Sequence, residues 1–331
     1  MCIVGAGPAG AYLARLLADR GYAVRVYDVA RRLGAKPCGW GVPYTVERLL
    51  RIPGEYVLSR VREYRVVVDW GFEVGLRARR TMGYIVDKPG LLGWLLEGVD
   101  ARLGSLPRRG ECGFTVYARG HAYYPGRKLR AVQVVARGWE RGGEALALYF
   151  SGLVGYAWAF PLGGGAAKVG VGGFASWGAL RSLLRGVLGR LGLRRVSGLE
   201  GAPIAAGGLA LPRGRLSIGE EVGAVMPLTG EGIRPGFITA GAAAEAIVDH
   251  RDFAEALEAT GLPWQLRVER ALLRFLEGAG PLERRRLWER VDPRLVARLA
   301  AGDFTRGFLA VQAARHPSLL RVLGGLLSGS R

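Results

Sequence analysis

Three glycines at the start of the chain restrict its fold more than any other feature. Residues 1–4 are Met-Cys-Ile-Val. Gly5-Ala6-Gly7-Pro8-Ala9-Gly10 follows, then a helical run to Gly21, then Ala23-Val24-Arg25-Val26-Tyr27-Asp28. The order is strand, glycine turn, helix, strand, acid. Gly5 permits the tight turn out of the strand. Gly7, lacking a side chain, lets a pyrophosphate approach the backbone, and Gly10 lets the helix pack on the strand. The helix N-terminus then faces the phosphates with its free N–H groups and positive dipole end. Asp28 ends the second strand, where a carboxylate can accept hydrogen bonds from ribose hydroxyls. This spacing calls for a dinucleotide without choosing between NAD and FAD. The plainer alternative is a structural glycine turn in another α/β protein.

Beyond this unit the periodicity predicts alternating helices and strands. Ala9, Leu13, Leu16 and Leu17 give a first helix over 9–20, and the second strand spans 23–28. Residues 31–41 read as a fixed loop and 45–51 as a short helix. From Val61 to Arg79 the pattern alternates, with Tyr64, Val66, Val68, Trp70, Phe72 and Val74 on one face of a hairpin turning near Asp69 to Gly71. Residues 83–88 lead into a helix over 89–99. Strands are expected at 113–118, 129–136, 145–150, 155–160, 167–174, 203–206 and 215–218, with helices over 178–192 and 237–250. From Phe253 onward only helix and turn are expected. The fold class is α/β (α+β overall), with interleaved segments. A Rossmann-like nucleotide-binding domain takes 1–45, 80–125 and 207–250. A mostly antiparallel β substrate domain takes 46–79 and 126–206, and a helical region follows over 251–331.

The charge is unusual: 47 basic residues against 28 acidic, net +19, with lysine only at positions 36, 88, 128 and 168. Such a balance suits an anionic partner such as a lipid surface or a phosphate-bearing substrate. Equally, it suits an arginine-rich composition spread over a solvated surface. No run of five basic residues occurs, and nucleic acid is not expected as a partner. Cys2, Cys38 and Cys112 have no metal-ligand spacing, and their odd, low number suits a reducing cytosol. The chain enters a core strand at once, so no secretory leader is expected. The longest uncharged stretch, around 152–167, holds five glycines and a proline and cannot span a bilayer. The three histidines, His121, His250 and His316, are isolated, and no metal site is expected.

Four stretches carry a resemblance. The first is Gly5 to Asp28. The second is Lys36-Pro37-Cys38-Gly39-Trp40-Gly41. The third is Tyr156-Ala157-Trp158-Ala159-Phe160-Pro161, followed after seven residues by Val169-Gly170-Val171-Gly172. The fourth is Pro227-Leu228-Thr229-Gly230-Glu231-Gly232-Ile233. In this order, over residues 1–250, they resemble the FAD-dependent family that includes p-hydroxybenzoate hydroxylase, and within it the archaeal geranylgeranyl reductases. The third stretch, the most specific, looks like those reductases' own signature. On residues alone, the fourth stretch is a glycine turn opening onto a helix near Pro235, whose N-terminus can stabilise negative charge on a cofactor. In the third, three alternating aromatics share one strand face. They fit either an ordinary sheet core or the wall of a tunnel for a hydrocarbon chain.

The resemblance implies FAD as cofactor, with Lys36, Cys38, Gly39, Gly219, Glu220, Gly230, Gly232 and Ile233 joining Gly5, Gly7, Pro8, Ala9, Gly10 and Asp28 around it. It implies Tyr156, Trp158 and Phe160 over the flavin, and Trp40, Tyr156, Trp158, Pro161, Gly170 and Gly172 along an isoprenoid. Cys38 is either a small buried hydrophobe or a proton donor beside the flavin. Two positions depart from the family. Gly219-Glu220-Glu221 stands where Gly-Asp is usual, so Glu220 would hold the ribityl chain with a longer arm. Arg119-Gly120 stands where Asp-Gly is usual, which counts against hydroxylase chemistry. The implied activity is reduction of C=C bonds in geranylgeranyl chains of archaeal-type lipids or prenyl diphosphates, with electrons from NAD(P)H or a ferredoxin. The implied location is cytoplasmic, peripheral to the inner face of a membrane. Leu319, Leu320, Leu323 and Leu326, with Arg315 and Arg321, suit either shallow membrane docking or packing onto the core. The other readings are a flavin monooxygenase of an apolar compound and a non-catalytic flavin- or lipid-binding relative.

Overall fold

A computed structural model describes residues 1–290, 292–315 and 322. The first half of the chain runs β1 (Cys2–Val4), α1 (Pro8–Ala18), β2 (Arg25–Asp28), β3 (Gly41–Pro43), β4 (Val57–Val61), β5 (Glu63–Val68), β6 (Phe72–Arg77), β7 (Gly83–Val86), α2 (Lys88–Leu95), β8 (Asp100–Leu103) and β9 (Thr115–Tyr117). Next come β10 (Lys128–Arg137), β11 (Glu144–Tyr149), β12 (Gly155–Gly163), β13 (Ala166–Gly173), α3 (Trp177–Arg190), β14 (Arg194–Arg195), β15 (Glu200–Ala205) and β16 (Leu216–Ser217). Six helices close the described chain: α4 (Ile233–Val248), α5 (Phe253–Ala259), α6 (Leu262–Gly278), α7 (Pro281–Arg290), α8 (Pro293–Ala301) and α9 (Arg306–Arg315).

The first sheet is parallel, in the order β16-β9-β1-β2-β8. The second has eight strands, β14-β10-β13-β12-β11-β5-β6, with β15 also on β10. Apart from the parallel pair β5–β11, its pairings are antiparallel. A three-stranded sheet, β3-β7-β4, joins segments from both sides of the 46–79 stretch. The mixed α/β class and the C-terminal helical region are as the sequence predicts.

α1 begins at Pro8, whose fixed φ suits the first helical position and whose missing N–H would be unpaired there anyway. Its Ala9, Leu13 and Leu17 are buried against the parallel sheet and α4, where Tyr12 meets Phe237 with ring centroids 4.6 Å apart. Gly10 sits where a Cβ would lie 1.9 Å from the Gly5 carbonyl oxygen, so strand and helix touch backbone to backbone.

Several elements differ from the sequence reading. The segment expected as a helix over 45–51 is a single 3-10 turn, Tyr44–Arg48. The helix expected to reach residue 99 stops at Leu95, and the polar segment 100–103 becomes an edge strand. Nothing in its own pattern marks it. β2 offers it an open edge, and Arg25 pairs with Asp100 across the two strands at 2.6 Å. β3 and β4 also carry no alternation and form only against β7. Trp70 is not on the Tyr64–Val74 face. It occupies the hairpin turn at φ 60, beside Asp69 at φ 46, and packs on the opposite side against Phe150. Cys2 and Cys112 are joined in a disulfide across 110 residues, which corrects the expectation of reduced cysteines. Neither is near the other in sequence, but β9 pairs beside β1 and carries the preceding loop to Cys2. Cys38 is free.

Candidate functional site

One cavity of about 620 Å³ runs from the glycine turn to the C-terminal helices. Gly5, Gly7, Pro8, Ala9 and Asp28 line one end. Gly5 adopts φ 118, and a Cβ there would meet the Ala118 carbonyl oxygen at 2.2 Å; a Cβ on Gly7 would meet nothing within 4 Å. The first glycine is therefore demanded by the turn, and the second leaves its backbone open to a ligand. Gly10 lies beneath, in the helix–strand contact, and does not line the cavity. Asp28 accepts the Ala6 and Ala30 N–H groups, each at 2.7 Å. It thus fixes the turn itself, and each oxygen keeps a lone pair for a ribose hydroxyl.

The loop Lys36–Gly41 forms one wall, facing the aromatic strand β12. Register in the second sheet places Tyr156 opposite Gly172, Trp158 opposite Gly170 and Phe160 opposite Lys168. A Cβ on Gly170 would fall 2.1 Å from the Trp158 ring, so this glycine is the bed of the indole and not part of the lining. Gly172 does line the cavity. Gly39 and Gly41 do the same for Phe160, with Cβ positions 3.1 and 3.2 Å from its ring. Pro161 is buried within β12, away from the cavity. The Trp158 indole N–H is buried without a partner among the described residues and faces Gly39. The rings continue outward. Trp158 lies 6.3 Å from Phe160 and 5.9 Å from Tyr156, Tyr156 lies 5.6 Å from Tyr149, and Tyr149 stacks on Trp288 of α7 at 3.9 Å.

The turn 227–232 forms a third wall, with Gly230, Gly232 and Ile233 on the lining. The helix it feeds, α4, starts at Ile233, two residues earlier than Pro235. Tyr156 donates its hydroxyl proton to the Thr229 carbonyl at 2.5 Å, tying the aromatic strand to this turn. Glu231 accepts the Arg234 N–H at 2.7 Å, and burial raises its carboxyl above the usual range. Behind the turn, Glu269 of α6 accepts the Leu228 N–H at 3.1 Å while fully buried, and burial pushes its carboxyl up to about 8.

The two departures from the family pattern are structurally linked to their surroundings. Glu220 lines the cavity but pairs with Lys36 and accepts the Ala205 N–H at 3.0 Å. Glu221, not Glu220, answers Arg119. It accepts the Arg119 backbone N–H at 2.9 Å and its Nε–H at 3.0 Å. Burial alone would raise the Glu221 carboxyl, but these Arg119 bonds hold it below its usual range. The guanidinium also covers the rings of Tyr123 and Tyr117 at 3.7 and 4.5 Å.

Sequence reading missed three contributors. Leu272, Leu276, Leu287, Trp288 and Val296 of α6, α7 and α8 close the far end of the cavity. The sequence signals their amphipathic helices but not what those helices cover. The Arg119–Glu221 pair and the lysines beneath the Lys36–Trp40 loop are the others. Only the rarity of lysine in this chain pointed toward the latter.

The geometry fits a dinucleotide cofactor: an open glycine turn, a helix N-terminus, an acid at the second strand and an adjoining apolar chamber. A family profile for NAD(P)-binding Rossmann-like domains matches residues 3–39. The fold recurs in solved structures of flavoproteins. It is shared with a geranylgeranyl bacteriochlorophyll reductase-like protein of Thermoplasma acidophilum, at a TM-score of 0.80 over 98% of both chains with 16% identity. A flavoprotein/dehydrogenase of Cytophaga hutchinsonii follows it at a TM-score of 0.72, covering 99% of this chain and 98% of the other, with 12% identity. In sequence the chain is 29% identical to the menaquinone reductase of Mycobacterium tuberculosis over 86% of each.

Proposed function

We propose that the chain is an FAD-dependent reductase that saturates C=C bonds of an isoprenoid chain carried by a membrane lipid, a prenyl diphosphate or a prenylated quinone. One observation carries this reading: a single cavity joins the dinucleotide turn to an apolar chamber walled by Tyr156, Trp158 and Phe160 and closed by the leucines of α6–α8. The fold shared with a geranylgeranyl bacteriochlorophyll reductase-like protein supports it, as does the likeness to a menaquinone reductase, since menaquinone carries a polyprenyl tail.

When bound, FAD supplies hydride from its reduced ring to one alkene carbon. The chain's residues supply the setting. An isolated alkene is unpolarised, so catalysis rests on proximity and exclusion of water. The aromatic face of β12 orients the chain, and Gly39 and Gly41 let Phe160 approach the loop closely. Cys38, free and lining the cavity, holds a proton for the second alkene carbon. Electrons come from NAD(P)H or a ferredoxin-type carrier. The surplus of basic residues supports docking at an anionic cytoplasmic membrane face. Among the described residues no helix is long and apolar enough to cross a membrane. The C-terminal leucines Leu319, Leu320, Leu323 and Leu326, with Arg321, lie outside the described residues.

An anaerobic spectral titration tests the reading. Chemically reduced, flavin-loaded protein is mixed with a geranylgeranyl phospholipid or menaquinone. Reoxidation of the flavin without oxygen, with mass gain of two hydrogens per saturated bond, is the expected result. Flavin that stays reduced with every prenyl compound until air is admitted would turn the assignment toward an oxygen-dependent monooxygenase.

A further inference from the structure

Lysine is rare in this chain, four among 47 basic residues. Three of the four meet at one loop. Lys88, at the start of α2, donates to the Lys36 carbonyl at 2.7 Å. Lys168, on β13, donates to the Cys38 carbonyl at 3.0 Å and lies 3.5 Å from the centroid of the Trp40 ring. Gln133 of β10 donates to the same Cys38 carbonyl at 3.1 Å. Lys36 itself pairs with Glu220. The fourth, Lys128, bears with Lys36 on the nearby His121.

A chain that uses arginine elsewhere uses here the compact, titratable ammonium, which fits where a planar guanidinium does not. Lys88 and Lys168 are 4% and 5% exposed, and among the described residues neither has a carboxylate partner. Burial lowers both, Lys168 to about 8. The groups facing Lys168 are Cys38, Glu200 and Lys88, with Gln133 bridging to Glu200 at 2.9 Å. Two buried, unpaired ammonium groups are costly to a fold unless something negative is brought beside them. The loop they hold is the cavity wall opposite the turn 227–232.

We propose that Lys88 and Lys168 are positioning residues for the bound flavin, holding the Lys36–Trp40 loop against it by the loop carbonyls while their charge favours its reduced, anionic form. The proposal rests on the reading that FAD occupies this cavity. It assigns a second role to the loop carrying Cys38. Its backbone is pinned from behind, the Cys38 thiol accepts the Trp40 N–H at 3.5 Å, and both residues line the cavity.

The test uses the full chain loaded with FAD, comparing the unaltered protein with Lys88→Met, Lys168→Met and Lys168→Gln. Binding of oxidised FAD is followed by fluorescence quenching, and the two-electron potential by equilibration with a reference dye under argon. Each methionine variant, having lost its bond to the loop carbonyl, is expected to bind oxidised FAD more weakly than the unaltered chain does. Each is expected to weaken reduced FAD about tenfold relative to oxidised, a fall of about 30 mV for a two-electron couple. Lys168→Gln keeps a donor for the Cys38 carbonyl without the charge and should fall as Lys168→Met does. Removing a buried unpaired charge offsets the loss of its bond to the loop carbonyl, and thermal melting of the flavin-free variants should stay close to that of the unaltered chain. Flavin-loaded methionine variants with unchanged potential would overturn the proposal alone. A shift in Lys168→Met but not in Lys168→Gln would overturn its electrostatic half. An unaltered chain that takes up no FAD would overturn the flavin reading, and this inference with it.

Discussion

Gly170 has no room for a methyl group, because the six-membered ring of Trp158 lies where its Cβ would be. Gly170→Ala must push the indole off the strand, at about 1–3 kcal/mol for an overpacked site. A lowered melting temperature with a shifted tryptophan emission is expected; a variant that melts and fluoresces like the parent would show that the indole is not held there. A second residue sets a pH dependence. Glu269 is fully buried, and burial raises its carboxyl from 4.5 to about 8. The native state therefore binds a proton that the unfolded chain releases. The stability this contributes is complete below pH 4.5 and is lost as pH rises through about 8. Glu269→Gln keeps an acceptor for the Leu228 N–H and removes the titration. Its melting temperature should be flatter than the parent's between pH 5 and 9, judged on the scale of one carboxyl's titration, and higher at the alkaline end. Parallel melting curves across that range would contradict the assignment.

At the scale of elements, α7 reaches the cavity through Arg284, Leu287 and Trp288. Trp288 stacks on Tyr149 at 3.9 Å and continues the aromatic series that begins at Phe160. This places a helix of otherwise polar character, with no buried residue of its own, across the far end of an apolar chamber. Trp288→Ala would open that end to water. Reduced flavin in the variant should react with oxygen several-fold faster in stopped-flow mixing, by loss of water exclusion, while oxidised flavin stays bound. An unchanged oxidation rate would remove α7 from the enclosure. The helical region is fastened to the first half of the chain by polar contacts as well as by leucines. Thr45 donates to the Ala301 carbonyl at 2.6 Å, and Arg48 pairs with Asp303 at 2.7 Å.

For the molecule as a whole, the Cys2–Cys112 disulfide ties the first strand of the dinucleotide unit to the loop preceding β9. Closing a loop of 110 residues removes unfolded-state entropy worth about 4–5 kcal/mol in the chain-entropy account. Reduction, or Cys112→Ser, should lower the melting temperature by several degrees for a chain of this size, since a shift of 2–4 °C per kcal/mol is usual for somewhat smaller domains. Cys38→Ser should leave the melt unchanged. If reductant leaves the melting temperature of the parent untouched, the bond contributes nothing in solution.

What the sequence determined by itself was local. The turn at Gly5 to Gly10 and the helix that follows depend on backbone freedom and apolar spacing within a few residues, so they could be read directly. The alternating strands of the second sheet and its aromatic face at Tyr156, Trp158 and Phe160 were legible for the same reason, because side-chain alternation is a property of one strand. Tertiary structure decided what those faces meet. Lys168 reaches Cys38 across 130 positions, and Lys36 reaches Glu220 across 184. Glu221 finds Arg119, and Trp288 finds Tyr149. Weak strands such as 100–103 exist only because a neighbour presents an open edge. Such pairings follow from sheet register and helix docking, which sum small energies over the whole chain, and no short stretch of sequence contains them.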